Sequence, residues 1–437
     1  MELHGWAHHP VVEGRLVASE DLAAATRDAV LSRGLGRAYG DAALPPPGHP
    51  RHVACSVKAD RIVAFDPESG VLRAEAGLSL STLARLYLPR RYFTPVSPGT
   101  QYVTLGGMVA ADIHGKNHHV DGTFGRAVRA LKMRVADGRV LWTSRADEPE
   151  LFRATLGGMG LTGHVLEVEL QLRRVPSPWI YEETTRFGSF AELFDHLGTA
   201  SGTWPMTVAW IDTSASGAAR GRGIVMCGRW AEPHEAPPEP PTFSRGIAFP
   251  FWFPSGLGNR TTFRWANAAY YWRHPARTVK HVVGPGTFFW QLDVAREWNR
   301  GYGRRGFTQY QCVMPSDPVV YAAFLERFSA LGGTSFVTVF KDCGEQGEGL
   351  LSFPRRGTSV ALDIPIRDVA ETAALVRELN AFVLDHGGRV YLAKDAFTEA
   401  AAFRRMYPNW EAFEAVRDRW DPERRVTSAQ SVRLFGR

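Results

Sequence analysis

The placement of glycine constrains this chain more than any other feature of its sequence. Gly34-Leu35-Gly36-Arg37-Ala38-Tyr39-Gly40-Asp41 forms a first loop, and Gly99-Thr100 with Thr104-Leu105-Gly106-Gly107 forms a second. Gly157-Gly158-Met159-Gly160-Leu161-Thr162-Gly163 forms a third. Backbone free of Cβ atoms lets several amides converge on one anion, and glycine admits the positive φ that such nests need. Two unrelated tight turns would explain any one loop, but three together favour a shared phosphate cradle. The spacing Gly34, Gly36, Gly40 is not GxGxxG. The loop also follows a predicted helix over residues 22–30 rather than a strand, which disfavours a Rossmann dinucleotide site.

Periodicity supplies the scaffold. Residues 61–65 and 71–76 flank an Asp-Pro-Glu-Ser-Gly turn, a hairpin signature leading to a short helix at 81–88. Residues 165–172 alternate strictly, as a half-buried strand does. Beyond Pro176 the texture changes: strands predicted at 206–211, 223–227, 307–314, 335–340 and 359–364 alternate with helices at 189–197, 318–331 and 369–386. That pattern fits an α+β fold, an antiparallel sheet with helices packed on one side. Residues 233–254 are proline-rich and read as a long loop ending in Phe249-Pro250-Phe251-Trp252-Phe253. Phe403, Met406, Trp410, Phe413 and Trp420 stand at near-helical spacing and read as core.

At 437 residues the chain is long enough for two cores. Its formal charge of +6 is spread rather than blocked, and no nucleic-acid-reading module appears. Four scattered cysteines without CxxC spacing point to a reducing compartment. No basic segment followed by an apolar run marks a signal peptide, so a cytoplasmic protein is expected, with or without membrane attachment. Asp112, His114, His118, His119 and Asp121 invite a metal hypothesis, but the glycine at 115 argues against a helical HExxH geometry, and no metal is expected.

The motifs GLGRAYGD, SPGTQYVTLGGMVAADIHGKNHHVDGTFG, TLGGMGLTG, EWNRGYGRRGFTQYQ and YLAKD together resemble the decaprenylphosphoryl-ribose oxidase family. That family is the flavin half of an epimerase and lies within the vanillyl-alcohol-oxidase-type FAD superfamily. The resemblance implies an FAD-binding domain in two parts, residues 1–176 and 389–437, around a substrate domain at 177–388. It assigns Gly34, Gly36, Arg37, Ala38, Tyr39, Gly40 and Asp41 to the FAD phosphates, with Gly99, Thr100, Thr104, Leu105, Gly106 and Gly107. Ala111, Asp112, Ile113, His114, Gly115, Asn117, Val165 and Tyr391 would line the flavin and its ribityl chain. Histidyl enzymes of the superfamily carry their attachment histidine in the first loop, where this chain has Gly36-Arg37-Ala38, and no cysteine lies in the second. FAD held without a covalent bond is therefore expected.

Oxidation of a secondary alcohol requires the hydride-bearing carbon near flavin N5, a base for the hydroxyl proton and donors that fix the sugar. The resemblance makes Lys394 the active-site lysine, and a desolvated lysine can act as base or donor. His114 and Lys116 are further catalytic candidates. Gln309 and Gln311 flank Tyr310 on a strand, so both face one side. Lys341, Trp210, Phe289, Ser359 and Ala361 match pocket positions of the family. The chain departs from the family pattern at Phe289, Cys343, Ser359 and Ala361, where members carry Tyr, Phe, Asn and Cys. The resemblance implies a polyprenyl-phosphate ribose substrate oxidised at its 2'-hydroxyl and a NAD(P)H-dependent reductase that completes an epimerisation. A water-soluble sugar, alditol, aldonolactone or nucleoside remains an alternative, as does a flavin-free binding protein. The Phe249, Phe251, Trp252, Phe253 loop would either touch a membrane surface or close as a lid.

Overall fold

A computed structural model describes residues 1–48, 51–215, 217–243 and 246–436. Ser244 and Arg245 of the proline-rich segment lie outside the described residues.

The N-terminal part holds two larger sheets and a short pairing of Tyr92–Phe93 with Arg173–Arg174. In the first, Glu2–His4, Val11–Ala18, Arg51–Cys55 and Leu31–Arg33 lie in that order, the last three mutually parallel. In the second, Ile62–Asp66, Val71–Glu75, His164–Gln171, Val128–Arg134 and Val140–Ser144 form an antiparallel five-stranded sheet. The predicted hairpin is present, and the alternating strand pairs with both of its neighbours. One expectation is corrected: the helix after Asp21 is only Leu22–Ala25, and a strand, Leu31–Arg33, leads directly into the first glycine loop. Among the described residues no helix follows that loop in the manner of a βαβ unit, and the next strand is Arg51–Cys55.

The largest sheet is antiparallel throughout. Its eight strands run Val279–Val283, Ile180–Phe187, Gly223–Trp230, Met206–Ile211, Thr338–Cys343, Gly357–Pro365, Phe307–Met314 and Arg389–Val390. The strand expected at 335–340 starts three residues later, because Ser335 turns its hydroxyl onto the Val337 carbonyl and its own carbonyl accepts from Asn267. Helices Phe190–Ser201, Pro318–Ala330 and Val369–Asp385 begin at Ser189, Asp317 and Asp368, each side chain accepting a first-turn amide. Their apolar faces pack on Ala209, Ile211, Val225, Tyr310, Cys312, Val360 and Leu362, one face of the sheet. Period-2 alternation then turns Gln309, Gln311, Val339, Lys341, Ser359 and Ala361 to the other face.

The helix Arg260–Arg273, capped by Asn259, was not legible from the sequence. Its tryptophans point to solvent, the reverse of the apolar-inward stripe that periodicity seeks.

After Val390 the chain returns to the N-terminal part. The Tyr39 amide donates to the Ala393 carbonyl at 2.9 Å, and Thr427 and Ala429 donate to Val30 and Leu44. Arg433 spans Asp41 and Asp395 at 2.8 and 2.9 Å. The expected aromatic core is present in the helices Ala400–Met406 and Trp410–Trp420, with Phe403, Met406, Phe413 and Trp420 buried.

Candidate active site

A cavity of about 490 Å3 lies between the glycine loops and the open face of the large sheet. Its walls come from all parts of the chain. Gly34, Gly36, Arg37, Ala38 and Tyr39 line it, with Gly99, Thr100, Thr104, Gly106 and Gly107. Ala111, Ile113, His114, Val165 and Tyr391 form a further wall, and Gln309, Gln311, Lys341, Ser359, Ala361 and Lys394 a polar end.

Free donors are concentrated in the first loop. The N–H groups of Leu35, Gly36, Arg37 and Ala38 find no acceptor among the described residues, nor do those of Gly99 and Thr100. Gly36 has φ +68°, the left-handed region that lets successive amides turn to one side. The second loop behaves differently. Its short helix Leu105–Ala110 has already used its first amides: Leu105 donates to Leu78, Gly106 to Ala76, and Gly107 to the Thr104 hydroxyl. The glycines there serve close approach, since a Cβ on Gly106 would press on Ala76. An anion in this cavity is therefore met chiefly by the first loop.

The polar end is built on cross-strand pairs. Gln311 opposes Ala361, which opposes Val339; Ser359 opposes Lys341. The Gln311 amide nitrogen donates to His114 Nε2 at 3.0 Å and to Ser359 Oγ at 3.1 Å. An accepting Nε2 places the imidazole proton on Nδ1, which has no partner among the described residues. Burial, reinforced by the Lys341 charge, holds His114 well below its ordinary value, so the ring is neutral.

The Lys394 ammonium rests over the Tyr39 ring, 3.5 Å from its centroid, and neither Lys394 nor Lys341 meets an acceptor among the described residues. Burial pushes Lys394 down to about 7; Asp363 opposes that shift and Lys341 adds to it. Lys341 is lowered by burial as well. Asp363, which opposes Gln309 and accepts from its amide, is raised by burial to about 7, and its Oδ2 meets no donor among the described residues. Sequence reading missed Asp363, although the signal was present: it stands two residues beyond Ala361 on the same strand face. It also missed Trp6 and the wall Leu292–Trp298, of which Glu297 and Trp298 open the EWNRGYGRRGFTQYQ motif.

Several expected residues stand outside the cavity wall. Lys116 donates its amine to the Phe288 carbonyl and lies 4.2 Å from that ring's centroid, so it does not reach the cavity. Phe289 is buried among Phe93, Trp230 and Trp290. Trp210 packs edge-on against Tyr270 at 4.7 Å, covered by the Arg260–Arg273 helix. Asp112 accepts the Gly125 amide and the Ser352 hydroxyl, and Asn117 donates to Pro95 and Asp121. Gly115 packs on Ser97 and Asn117, Gly40 on the Asp395 carbonyl, and Asp41 binds Arg433. Leu105 and Cys343 are buried in apolar clusters. These residues support the wall from behind.

Comparison with known proteins bears on both ends of the cavity. Residues 10–144 match the model of an FAD binding domain, and residues 359–434 match that of D-arabinono-1,4-lactone oxidase. The chain is 33% identical to decaprenylphosphoryl-beta-D-ribose oxidase of Mycolicibacterium smegmatis over 99% of its own length and 97% of the relative's. It is 33% identical to an uncharacterised protein of Streptomyces coelicolor over 82% of its length and all of the relative's. L-gulono-1,4-lactone dehydrogenase of Mycobacterium tuberculosis is 35% identical over 15% of each chain.

Proposed function

The chain belongs to the decaprenylphosphoryl-beta-D-ribose oxidase family of FAD-binding proteins, and on that premise we propose that it oxidises the 2'-hydroxyl of a ribose carried on a polyprenyl phosphate. It is an FAD-dependent oxidoreductase. The residues present fit that cofactor. The unpaired amides of Leu35–Ala38 would hold its diphosphate, and Ala111, Ile113, Val165 and Tyr391 would flank its ring. When bound, FAD supplies the hydride acceptor.

The chain's own residues do the rest. A secondary alcohol loses its hydroxyl proton and the hydride on the same carbon, leaving a ketone. Lys394, near 7, is part neutral at physiological pH and takes the hydroxyl proton. The Gln311 amide holds the neutral His114 ring, whose Nδ1–H remains free to donate to a sugar oxygen. Lys341 and Ser359 complete the donors that fix the sugar, and Gln309 holds Asp363 behind Lys394. The ketone product suits a partner reductase using NAD(P)H, which would complete an epimerisation.

One observation carries this reading: two lysine residues whose amines meet no acceptor among the described residues line the same cavity as the unpaired amide loop. Anaerobic mixing with prenyl-phosphate ribose should bleach the flavin band, whereas free pentoses and nucleosides should not. The match of residues 359–434 to a lactone oxidase favours a second reading, a water-soluble aldonolactone or alditol as substrate. Bleaching by such a compound and not by the lipid-linked sugar would establish it.

A lipid-linked substrate brings the enzyme to a membrane surface. No helix among the described residues is long and apolar enough to cross one. The Phe249–Phe253 loop supports a lid rather than an anchor. Its phenylalanine rings pack on one another and Trp252 on His8, leaving Phe251 as its one largely exposed aromatic.

A further inference from the structure

The largest exposed aromatic area lies elsewhere, on the helix Arg260–Arg273. Trp265 and Trp272 are 75% and 63% exposed. Seven residues apart, they complete about two helical turns and stand on one azimuth, separated by roughly 10 Å along the axis. Thr261, Ala269 and Thr262 share this outward face, and Arg264 and Arg273 flank it on opposite sides at about 80–100°. The inward face is tied down: Asn267 bonds Asp212 and the Ser335 carbonyl, and Tyr270 and Tyr271 pack on Val208, Trp210 and Val339. Leu257, 46% exposed, extends the apolar surface just before the helix.

The charges carried by the helix itself are of one sign. Residues 246–292 contain no carboxylate side chain, yet they hold Arg260, Arg264, Arg273 and Arg277, while Lys280 is paired with Glu183 at 2.9 Å. Arg260, Arg264, Arg273 and Arg277 form no ion pair among the described residues. Arg186 also lies 4.7 Å from the Trp272 ring and adds to the positive field, whereas Arg222 beside it is neutralised by Asp212 at 2.9 Å.

We propose that this face docks on a bilayer containing anionic lipid, with the helix lying flat, Trp265 and Trp272 among the headgroups, and Arg264 and Arg273 on lipid phosphates. Tryptophan is suited to the headgroup zone because its ring is apolar and its N–H is polar. Arginines on both flanks of an apolar stripe, with no acid to neutralise them, are attracted by an anionic leaflet. A second copy of the chain is a poor occupant, since a symmetric contact would set arginine against arginine. Val339 belongs to the apolar cluster on which this helix packs and also lines the cavity, so the docked face is one layer from the place where the sugar would be held. The purpose of the docking rests on the proposed lipid-linked substrate; its test does not.

The test uses the full FAD-loaded chain and two vesicle compositions, phosphatidylcholine alone and phosphatidylcholine with phosphatidylglycerol. The protein should co-sediment with the anionic vesicles and less with the neutral ones, with binding that falls as salt rises. Trp265→Ser/Trp272→Ser should lose about tenfold in partitioning to both vesicle types. Arg264→Gln/Arg273→Gln should lose about tenfold on the anionic vesicles alone. Unchanged flavin content shows that each variant is folded. Wild-type protein left in the supernatant with both vesicles, or variants that sediment like wild type, overturns the proposal. A dimer in solution that Trp265→Ser/Trp272→Ser disrupts would also overturn it, making the occupant a second copy. Should prenyl-phosphate ribose fail to bleach the flavin, the substrate assignment falls while sedimentation still decides the docking face.

Discussion

Lys394 holds its ammonium 3.5 Å from the centroid of the Tyr39 ring, and the Tyr39 amide donates to the carbonyl of Ala393 just before that lysine. The first glycine loop and the C-terminal YLAKD segment are thus one structural unit. The aromatic face supports the charged form without accepting a proton, and burial works against that form.

The pH dependence of flavin reduction follows from this arrangement. With Lys394 near 7 and acting as the base, the reduction rate should rise with pH through about 7. Asp363 holds the proton on Lys394, so Asp363→Asn should move the inflection to lower pH. Lys341 repels that proton, so Lys341→Met should move it to higher pH. Lys394→Met should cost about 10²–10⁴ in rate with flavin content retained. Stopped-flow reduction across pH measures all four, and shifts of the opposite sign would remove Lys394 as the base.

Flavin retention should depend on the first loop. Gly36 sits at φ +68°, where a Cβ would also strike the Arg33 guanidinium. Gly36→Ala should lower flavin affinity about tenfold, the equivalent of 1–2 kcal/mol of left-handed strain. The ratio of flavin to protein absorbance in the purified variant reports it. In the wild type, denaturing precipitation should leave the flavin in the supernatant, since no cysteine lines the cavity and the first loop has no histidine.

Closure of the C-terminal segment rests on Arg433. It pairs with the buried carboxylates Asp41 and Asp395, which together hold its guanidinium above the ordinary arginine range. Arg433→Met leaves two buried charges without a partner and should destabilise the protein by about 3–5 kcal/mol in urea denaturation. Flavin loss should accompany it, because Asp41 ends the first glycine loop.

Lys116 offers a stability signature of known sign. Burial lowers it to about 7, below the value of an unfolded chain, so from 7 to about 10.5 the unfolded state binds a proton that the folded state does not. Stability therefore rises with pH in this window by about 1.4 kcal/mol per unit from this group. Lys116→Met should remove that part of the slope, read from denaturation midpoints at pH 7, 8 and 9. An unaltered slope would mean that the amine is not buried as described.

Much of this site was legible before any coordinates. The glycine loops and the shared strand face of Gln309 and Gln311 follow from residue type and spacing, and Lys394 from the family resemblance. Asp363 was equally accessible to period-2 alternation but was passed over, because no motif singled it out. Lys116, Trp210 and Phe289 show the limit. Trp210 pairs in register with the cavity residue Val339, and Lys116 and Phe289 stand two and three positions from the cavity residues His114 and Leu292, yet each side chain is held elsewhere, by Tyr270, Phe288 and Phe93 respectively.

Local pattern determined which segments are strands, which turns need glycine and which strand residues share a face, because these depend on neighbours a few positions away. Tertiary structure alone decided which amides stay free. The helix Leu105–Ala110 has every sequence mark of an anion site, yet its first amides are used by Leu78, Ala76 and Thr104. The loop Leu35–Ala38 keeps its own unpaired. A hydrogen-bond donor is available only if no distant acceptor has been folded against it, and no local pattern carries that information.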